Sequence, residues 1–295
     1  MQSDRKEHIT MKLTNRYNLP EPLVRAIKND DYDKGESDFS ITGLLSPPQK
    51  NYLTEKHWEE MEEDASDRIW SLLGTSVHNM LEKGLGEGSR GEERLFAEIG
   101  GSVISGKFDH LDIKNKTLSD YKCTSAYAVK GELKPEWEKQ LNYYKQLCQI
   151  NDIEIDKLQI VAILRDWSKM QMMRSPDYPR ANVVVLDIPM WQDEVTLEDM
   201  RHAVTEQLEA REGNYRPCTD GERWKSDNVY AVMKAKRKSA LRLLSTRADA
   251  EKYCFDNELI DGEAGITIEF REGVAKRCLD YCSAAPYCEQ FKEQT

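Results

Sequence analysis

The stretch GKFDHLDIKNKTLSDYKCTS, residues 106–125, decides how this chain is read. Two runs with strand character flank Asn115-Lys116, a link short enough for an antiparallel hairpin. Side chains two apart on a strand share a face, so Asp120 and Lys122 point one way and Tyr121 the other. Asp109, placed near the middle of the partner strand, reaches that face across the hairpin. Two carboxylates and a lysine then converge. Burying such groups is costly unless a cation neutralises the carboxylates. Mg²⁺ or Mn²⁺, hard and oxygen-seeking, is the cation this donor set would take. An Asp-x-Lys pair by itself is more often a solvated edge or a surface ion pair, so the surroundings must decide.

Working outward, "DASDRIWSLLGTSVHNMLEKGL" precedes the hairpin, with Ile69, Leu72, Leu73, Val77, Met80 and Leu81 at helical spacing. Ser66 or Asp67 is the expected cap and Gly84 the expected end. "ITGLLSPPQKNYLTEKH" before it reads as helix around a Pro-Pro step. "RLFAEIG" is a further strand, so three strands follow the first long helix. "KPEWEKQLNYYKQLCQI" is the next helix, with Pro135 suited to its first turn. "LQIVAILRDW" and "NVVVLDIPM" are strands, and residues 194–212 form a long helix. This order predicts an α/β (α+β) layered domain with a central mixed sheet flanked by helices. Residues 1–39 read as a polar arm with little core of its own, 40–215 as the core domain, and 216–295 as a C-terminal lobe. In that lobe "VYAVMKAKRKSALRLL" reads as a basic strand or hairpin and "STRADAEKYCFDNEL" as a short helix.

With 295 residues, 32% charged and 39% hydrophobic, the chain is long enough for one large domain or two modest ones. No apolar run marks the N-terminus and no stretch nears eighteen apolar residues, so neither a leader nor a membrane span is expected. A cytoplasmic location follows, and there the seven cysteines point to metal rather than to disulfides. The net charge of −11 argues against indiscriminate duplex binding. It leaves room for a local basic patch and for carboxylates that hold metal. Acidic residues gather at 29–38 and 55–67, whereas the run KAKRK occupies 234–238.

Taken in order, the chain carries Gly74…His78, Gly106-x-x-Asp109, Asp120-x-Lys122 and Gln140-x-x-x-Tyr144. Gln140 and Tyr144 stand four apart and so share a helix face. The combination resembles the RecB-like branch of the PD-(D/E)XK nuclease superfamily, over about residues 40–215. The resemblance implies a restriction-endonuclease-like core and an Mg²⁺- or Mn²⁺-dependent DNA exonuclease. It implies metal binding by His78, Asp109, Asp120 and the carbonyl of Tyr121, with Asp109, Asp120 and Lys122 catalytic. Gln140 and Tyr144 would contact DNA or order the lysine. Glu98, on the first strand, is a candidate supporting carboxylate, with an exposed strand end as the competing reading. Phage-type enzymes acting in recombination, replication or repair belong to this group, so the expected partner is DNA with a free end.

Cys278, Cys282 and Cys288 lie close together near the C-terminus, and Cys218 precedes them in "RPCTDGERW". Some RecB-like nucleases carry a four-cysteine [4Fe–4S] staple, one cysteine before the core and three after it. This chain departs from that pattern. Ser46-Pro47-Pro48 stands where Cys-Pro is expected, the three late cysteines are spaced differently, and Cys218 is the substitute ligand. An iron–sulfur cluster, zinc and unligated thiols all remain open. Cys123, Cys148 and Cys254 read as small buried residues. Lys234, Lys236, Arg237 and Lys238 are either a solvated hairpin or a phosphate-contacting edge, and Trp224 and Tyr230 are candidates for stacking on bases. A nicking or structure-selective endonuclease, and a DNA-binding module built around its metal cluster, are the alternative functions.

Overall fold

A computed structural model of the chain describes residues 12–30, 35–259 and 265–293. The extreme N-terminus and part of the acidic run at 29–38 therefore lie outside the described residues. Two compact units are present, Met1–Arg216 and Pro217–Thr295.

The first unit begins with β1 (Lys12–Thr14), α1 (Glu21–Lys28), β2 (Phe39–Ser40), α2 (Ile41–Leu44), α3 (Pro48–Lys56) and β3 (Glu62–Asp64). Next come α4 (Ile69–Glu82), β4 (Ser89–Arg90), β5 (Glu93–Ile99), β6 (Ser102–Phe108), β7 (His110–Asp112) and β8 (Thr117–Thr124). The unit closes with α5 (Pro135–Ile150), β9 (Lys157–Leu164), α6 (Lys169–Arg174), β10 (Val183–Ile188) and α7 (Asp193–Arg211). One sheet has the order β10-β9-β8-β7-β4, and a second has β2-β6-β5. Strands β8 and β9 run parallel, with Asp120 opposite Ile160, and α5 supplies the crossover that a parallel pair needs. Between α4 and α5 the chain forms five strands, β4 to β8, where the sequence predicts three, because β4 is an added two-residue strand and the second predicted strand breaks at Asp109 into β6 and β7. The protein is thus a mixed α/β fold with helices packed on mixed sheets.

The core lies between these sheets and α5. Pro135 opens that helix, and Glu136 and Glu138 in its first turn complement the helix dipole. Trp137, Leu141, Tyr144 and Cys148 recur at helical spacing and are buried, as are the residues between Leu141 and Cys148. A helix buried nearly all round must satisfy its polar groups internally. Lys145, 1% exposed, donates to the Trp191 carbonyl at 2.6 Å and to Asp193 Oδ1 at 2.8 Å. Asn142 donates to the Pro189 carbonyl and accepts the Trp191 amide, while the Trp191 indole donates to Glu138. These bonds fasten α5 to the segment that leads into α7.

Two readings of the sequence change here. The N-terminal arm is not a bare tail: β1 pairs in parallel with β3, and Ile27 of α1 is buried in the fold. Nor does Ser66 or Asp67 start the long helix. Asp64 caps a short 3₁₀ turn, Ala65–Arg68, by accepting the Ser66 amide, and α4 continues from it. Helix α4 has no fully buried residue, and Leu73 and Met80 of its apolar spacing are exposed.

Gly106 sets how near α5 comes to β6. A Cβ there would stand 2.6 Å from Ile41 Cδ1, 2.7 Å from Leu147 Cδ1 and 2.9 Å from the Tyr144 ring. Two of these neighbours can yield, but the tyrosine ring is rigid and buried. Gly106→Ala is expected to cost about 1–3 kcal/mol of stability, as overpacked cores do. Urea unfolding of the variant against the parent measures it.

Candidate metal centre and active site

The chain crosses from one sheet into the other at Asp109, the residue between β6 and β7. This corrects the reading that placed Asp109 in the middle of a strand. Extending the β7–β8 register by one pair beyond His110 and Ser119 sets Asp109 opposite Asp120, as the hairpin argument required. Regular pairing stops there, and a side chain takes over: Asp109 Oδ2 accepts the Tyr121 amide at 2.7 Å. One carboxylate oxygen thus substitutes for a ladder carbonyl, and the other is free to serve the site.

That other oxygen faces His78. His78 Nδ1 stands 3.3 Å from Asp109 Oδ1 and 3.6 Å from Glu92 Oε1. One donor atom from each of His78, Glu92 and Asp109 lies within 4.8 Å of the others, a spacing that ligands around one divalent ion can adopt. The hydrogen bond that His78 donates to Asp109 raises the His78 pKa, with the Asp109, Asp120 and Glu92 charges adding to it against the effect of burial. Glu92 was not anticipated from the sequence. It precedes β5 in a left-handed backbone conformation, φ 51°, which an ordinary side chain seldom adopts. Gly91 beside it explains the approach, because a Cβ there would lie 2.5 Å from the Asp109 carbonyl oxygen. The second Glu92 oxygen is paired with Lys107.

On the facing strand Asp120 is 4% exposed. Lys122 Nζ is 2.7 Å from Asp120 Oδ2, as expected of residues sharing a strand face. The lysine ammonium is the positive charge that answers this buried oxygen. Burial pushes the Asp120 carboxyl up to about 6, with Lys122 opposing and Asp109 reinforcing the rise. A carboxylate that is buried and next to another is the environment that cation binding relieves. Lys122 in turn donates to Gln140 Oε1 at 2.9 Å, so α5 fixes the lysine's direction. Tyr144, one turn on, is buried against Gly106 and acts in packing rather than at an open surface. Tyr121 turns to the opposite face, with its ring 6.3 Å from that of His78 in an edge-on arrangement.

Glu98 stands elsewhere. Leu95, Ala97 and Ile99 of β5 point inward, so Glu98 points out, paired with Val103 and far along the strand from Asp109. In the second unit β11 (Val229–Lys234), β12 (Arg242–Leu244) and β13 (Ile266–Arg271) form a sheet packed on α8 (Arg247–Asp256). Lys234, Lys236, Arg237 and Lys238 are all exposed at the β11–β12 turn. Trp224 packs on Tyr281 and Tyr230 on Phe270, so both expected stacking residues already have aromatic partners.

All four cysteines singled out belong to the second unit. Cys278 lies on α9 (Lys276–Asp280), Cys282 follows it, and Cys288 immediately precedes α10 (Glu289–Lys292). The Gln290 side chain clasps Cys218 by both peptide groups, accepting its amide at 3.0 Å and donating to its carbonyl at 2.8 Å. Burial first, then Glu222, then the thiols of Cys288, Cys282 and Cys278 push the Cys218 thiol up to about 12. Among the described residues, no three of these cysteines bring their sulfurs within 4.8 Å of one another. Cys148 and Cys254 are buried, as expected, and Cys123 is half-buried.

No family model and no curated protein matches this sequence. Among solved structures, that of SSO0001 is 19% identical, covering 66% of this chain and 87% of its own, with a TM-score of 0.46. A phage-related exonuclease from Haemophilus somnus 129PT is 13% identical over 64% of this chain and 92% of its own, with a TM-score of 0.35. No helix among the described residues is long and apolar enough to cross a membrane.

If His78, Glu92 and Asp109 hold one cation, His78→Ala and Glu92→Gln are each expected to weaken Mn²⁺ binding at least about tenfold. Titration calorimetry of the full chain reads the change. Glu98→Gln, a carboxylate outside the set, leaves the affinity as it was.

Proposed function

We propose that the chain is a Mg²⁺- or Mn²⁺-dependent DNA nuclease of the RecB-like PD-(D/E)XK type, acting as an exonuclease on DNA with a free end. The observation that carries this reading is Asp109, with His78 beside it, placed close enough for its charge to act on buried Asp120, which has Lys122 at its side. The donor set fits a hard divalent ion, since the His78, Glu92 and Asp109 donors cluster and the buried Asp120 carboxyl feels the Asp109 charge. His78, Glu92, Asp109, Asp120 and the Tyr121 carbonyl are the residues that would hold it. Bound there, the ion would lower the pKa of a water and polarise the scissile phosphate.

The chain's own groups do the rest. Lys122, aimed by Gln140, is positioned to orient the attacking water and to meet the charge that builds on the phosphoryl oxygens. Water attacks phosphorus in line, the phosphodiester P–O bond breaks, and the leaving oxygen departs as a hydroxyl. Burial of Asp120 excludes bulk water from one side of the site. The four exposed cations at the β11–β12 turn supply a phosphate-binding edge. Recombination, replication or repair, in a phage-type setting, is the biological role this activity would serve.

The four cysteines of the second unit would hold an iron–sulfur cluster or zinc. Their common place in the C-terminal unit and the clasp on Cys218 support that reading. Because Cys218 lies in the same unit as the other three, this staple would close within the C-terminal unit.

Asp120→Ala and Lys122→Ala are each expected to lower metal-dependent degradation of linear DNA by about a hundredfold or more, with the circular dichroism spectrum retained. Full activity in either variant removes the assignment. A closed single-stranded circle run alongside separates exonuclease from endonuclease, since only the latter can open it. Replacing Lys234, Lys236, Arg237 and Lys238 together with Ser should weaken DNA binding and flatten its dependence on salt concentration. Unchanged affinity would make that turn a solvated hairpin.

A further inference from the structure

The two oxygens of Glu92 face different partners. Its side chain is 11% exposed, and Oε2 is paired with the Lys107 ammonium. Oε1 is 3.6 Å from His78 Nδ1, the atom that also meets Asp109 Oδ1. Lys107 lies on β6, two residues before Asp109, and is itself exposed. The hydrolysis makes no direct use of it.

The strand register explains why this lysine turns to Glu92. Lys107 is directly opposite Arg94 of β5, and like charges so placed repel. Arg94 donates to Ser105 Oγ at 3.1 Å, on the side away from Glu92. Lys107 takes the other diagonal, toward Glu92. The backbone there has little freedom to adapt. Glu92 has φ 51°, and Gly91 is pressed against the Asp109 carbonyl oxygen, where a Cβ would stand 2.5 Å away. With the main chain held, the direction of the carboxylate is settled by its side-chain partners, His78 on one oxygen and Lys107 on the other.

We propose that Lys107 is a positioning residue that limits Glu92 to one coordinating oxygen and thereby sets which divalent ion the centre accepts. This rests on the reading of His78, Glu92 and Asp109 as ligands of one ion. With Oε2 tied to the lysine, Glu92 presents Oε1 alone. A small ion such as Mg²⁺, which demands near-octahedral order, takes a carboxylate by a single oxygen. Mn²⁺ favours the same octahedral arrangement. Ca²⁺ is larger, takes about six to eight oxygens and accepts both oxygens of one carboxylate. An ammonium on the second oxygen denies Ca²⁺ that grip and leaves the smaller ion's contact intact. Partners of this kind, which hold a ligand rather than the metal, orient the coordinating groups and tune the ion they bind.

The test titrates Mn²⁺ and Ca²⁺ separately into the full chain by calorimetry, for the parent, Lys107→Met and Lys107→Arg. In Lys107→Met the ratio of Ca²⁺ to Mn²⁺ affinity is expected to rise at least about tenfold, because Glu92 is then able to turn both oxygens inward. Lys107→Arg retains the parent's ratio, since a guanidinium also occupies the outer oxygen. Adding Glu92→Gln to Lys107→Met abolishes the rise, because an amide has one oxygen to offer. A lysine acting only through its distant charge, or only through stability, would move both ions alike. Circular dichroism and melting confirm the fold, and Lys107→Gln replaces Lys107→Met if the latter melts well below the parent. A parent-like ratio once the lysine is removed overturns the role of Lys107 and leaves the metal site standing. A parent that binds neither ion overturns the site itself, as does one whose affinities ignore both His78→Ala and Glu92→Gln.

Discussion

The carboxylate of Asp120, shut inside the sheet, is the constraint around which the first unit is arranged. A buried negative charge must be answered close by, and each neighbouring element contributes. Strand β8 supplies Lys122 two residues on, α5 supplies Gln140 to hold that lysine, and the strand break supplies Asp109 opposite. Asp109 adds a second negative charge rather than relieving the first, which is why the pair calls for a cation and not merely a lysine. Even the packing of α5 serves this end. Gly106 lets the helix settle deep enough for Gln140 to reach across, and the Lys145–Asp193 bond holds it there.

Much of this was legible in the sequence because it follows from periodicity. Alternation along a strand places Asp120 and Lys122 together, and a four-residue helical step places Gln140 near Tyr144. The order of helices and strands followed from runs of apolar residues. What escaped notice has no period. Glu92 lies in a connection, in a backbone conformation that only the fold enforces, and reaches Asp109 because Gly91 has no side chain. Glu98, chosen in its place, could have been set aside by the same alternation, since Leu95, Ala97 and Ile99 occupy the inward positions of its strand. The polar composition before residue 40 concealed Ile27, an apolar anchor on a short amphipathic helix. Helix α4 shows the converse, with apolar spacing that reads as a core face but packs only halfway.

The second unit follows a different economy. Its apolar core is small, centred on Val232, Ala250, Cys254 and Ile266. Small cores are often supplemented by cross-links of another kind. The clasp between Gln290 and Cys218, and the bond from the Arg277 amide of α9 to the Arg223 carbonyl, draw residues distant in sequence into one knot.

Asp109 divides its labour between two oxygens, one held by the peptide of Tyr121 and one turned to His78. An amide side chain keeps an oxygen for the peptide and surrenders the charge, while a methyl keeps neither. Asparagine and alanine at this position are therefore different experiments, the first addressing chemistry and the second chemistry and architecture at once. An inactive alanine variant alone would leave those two causes entangled.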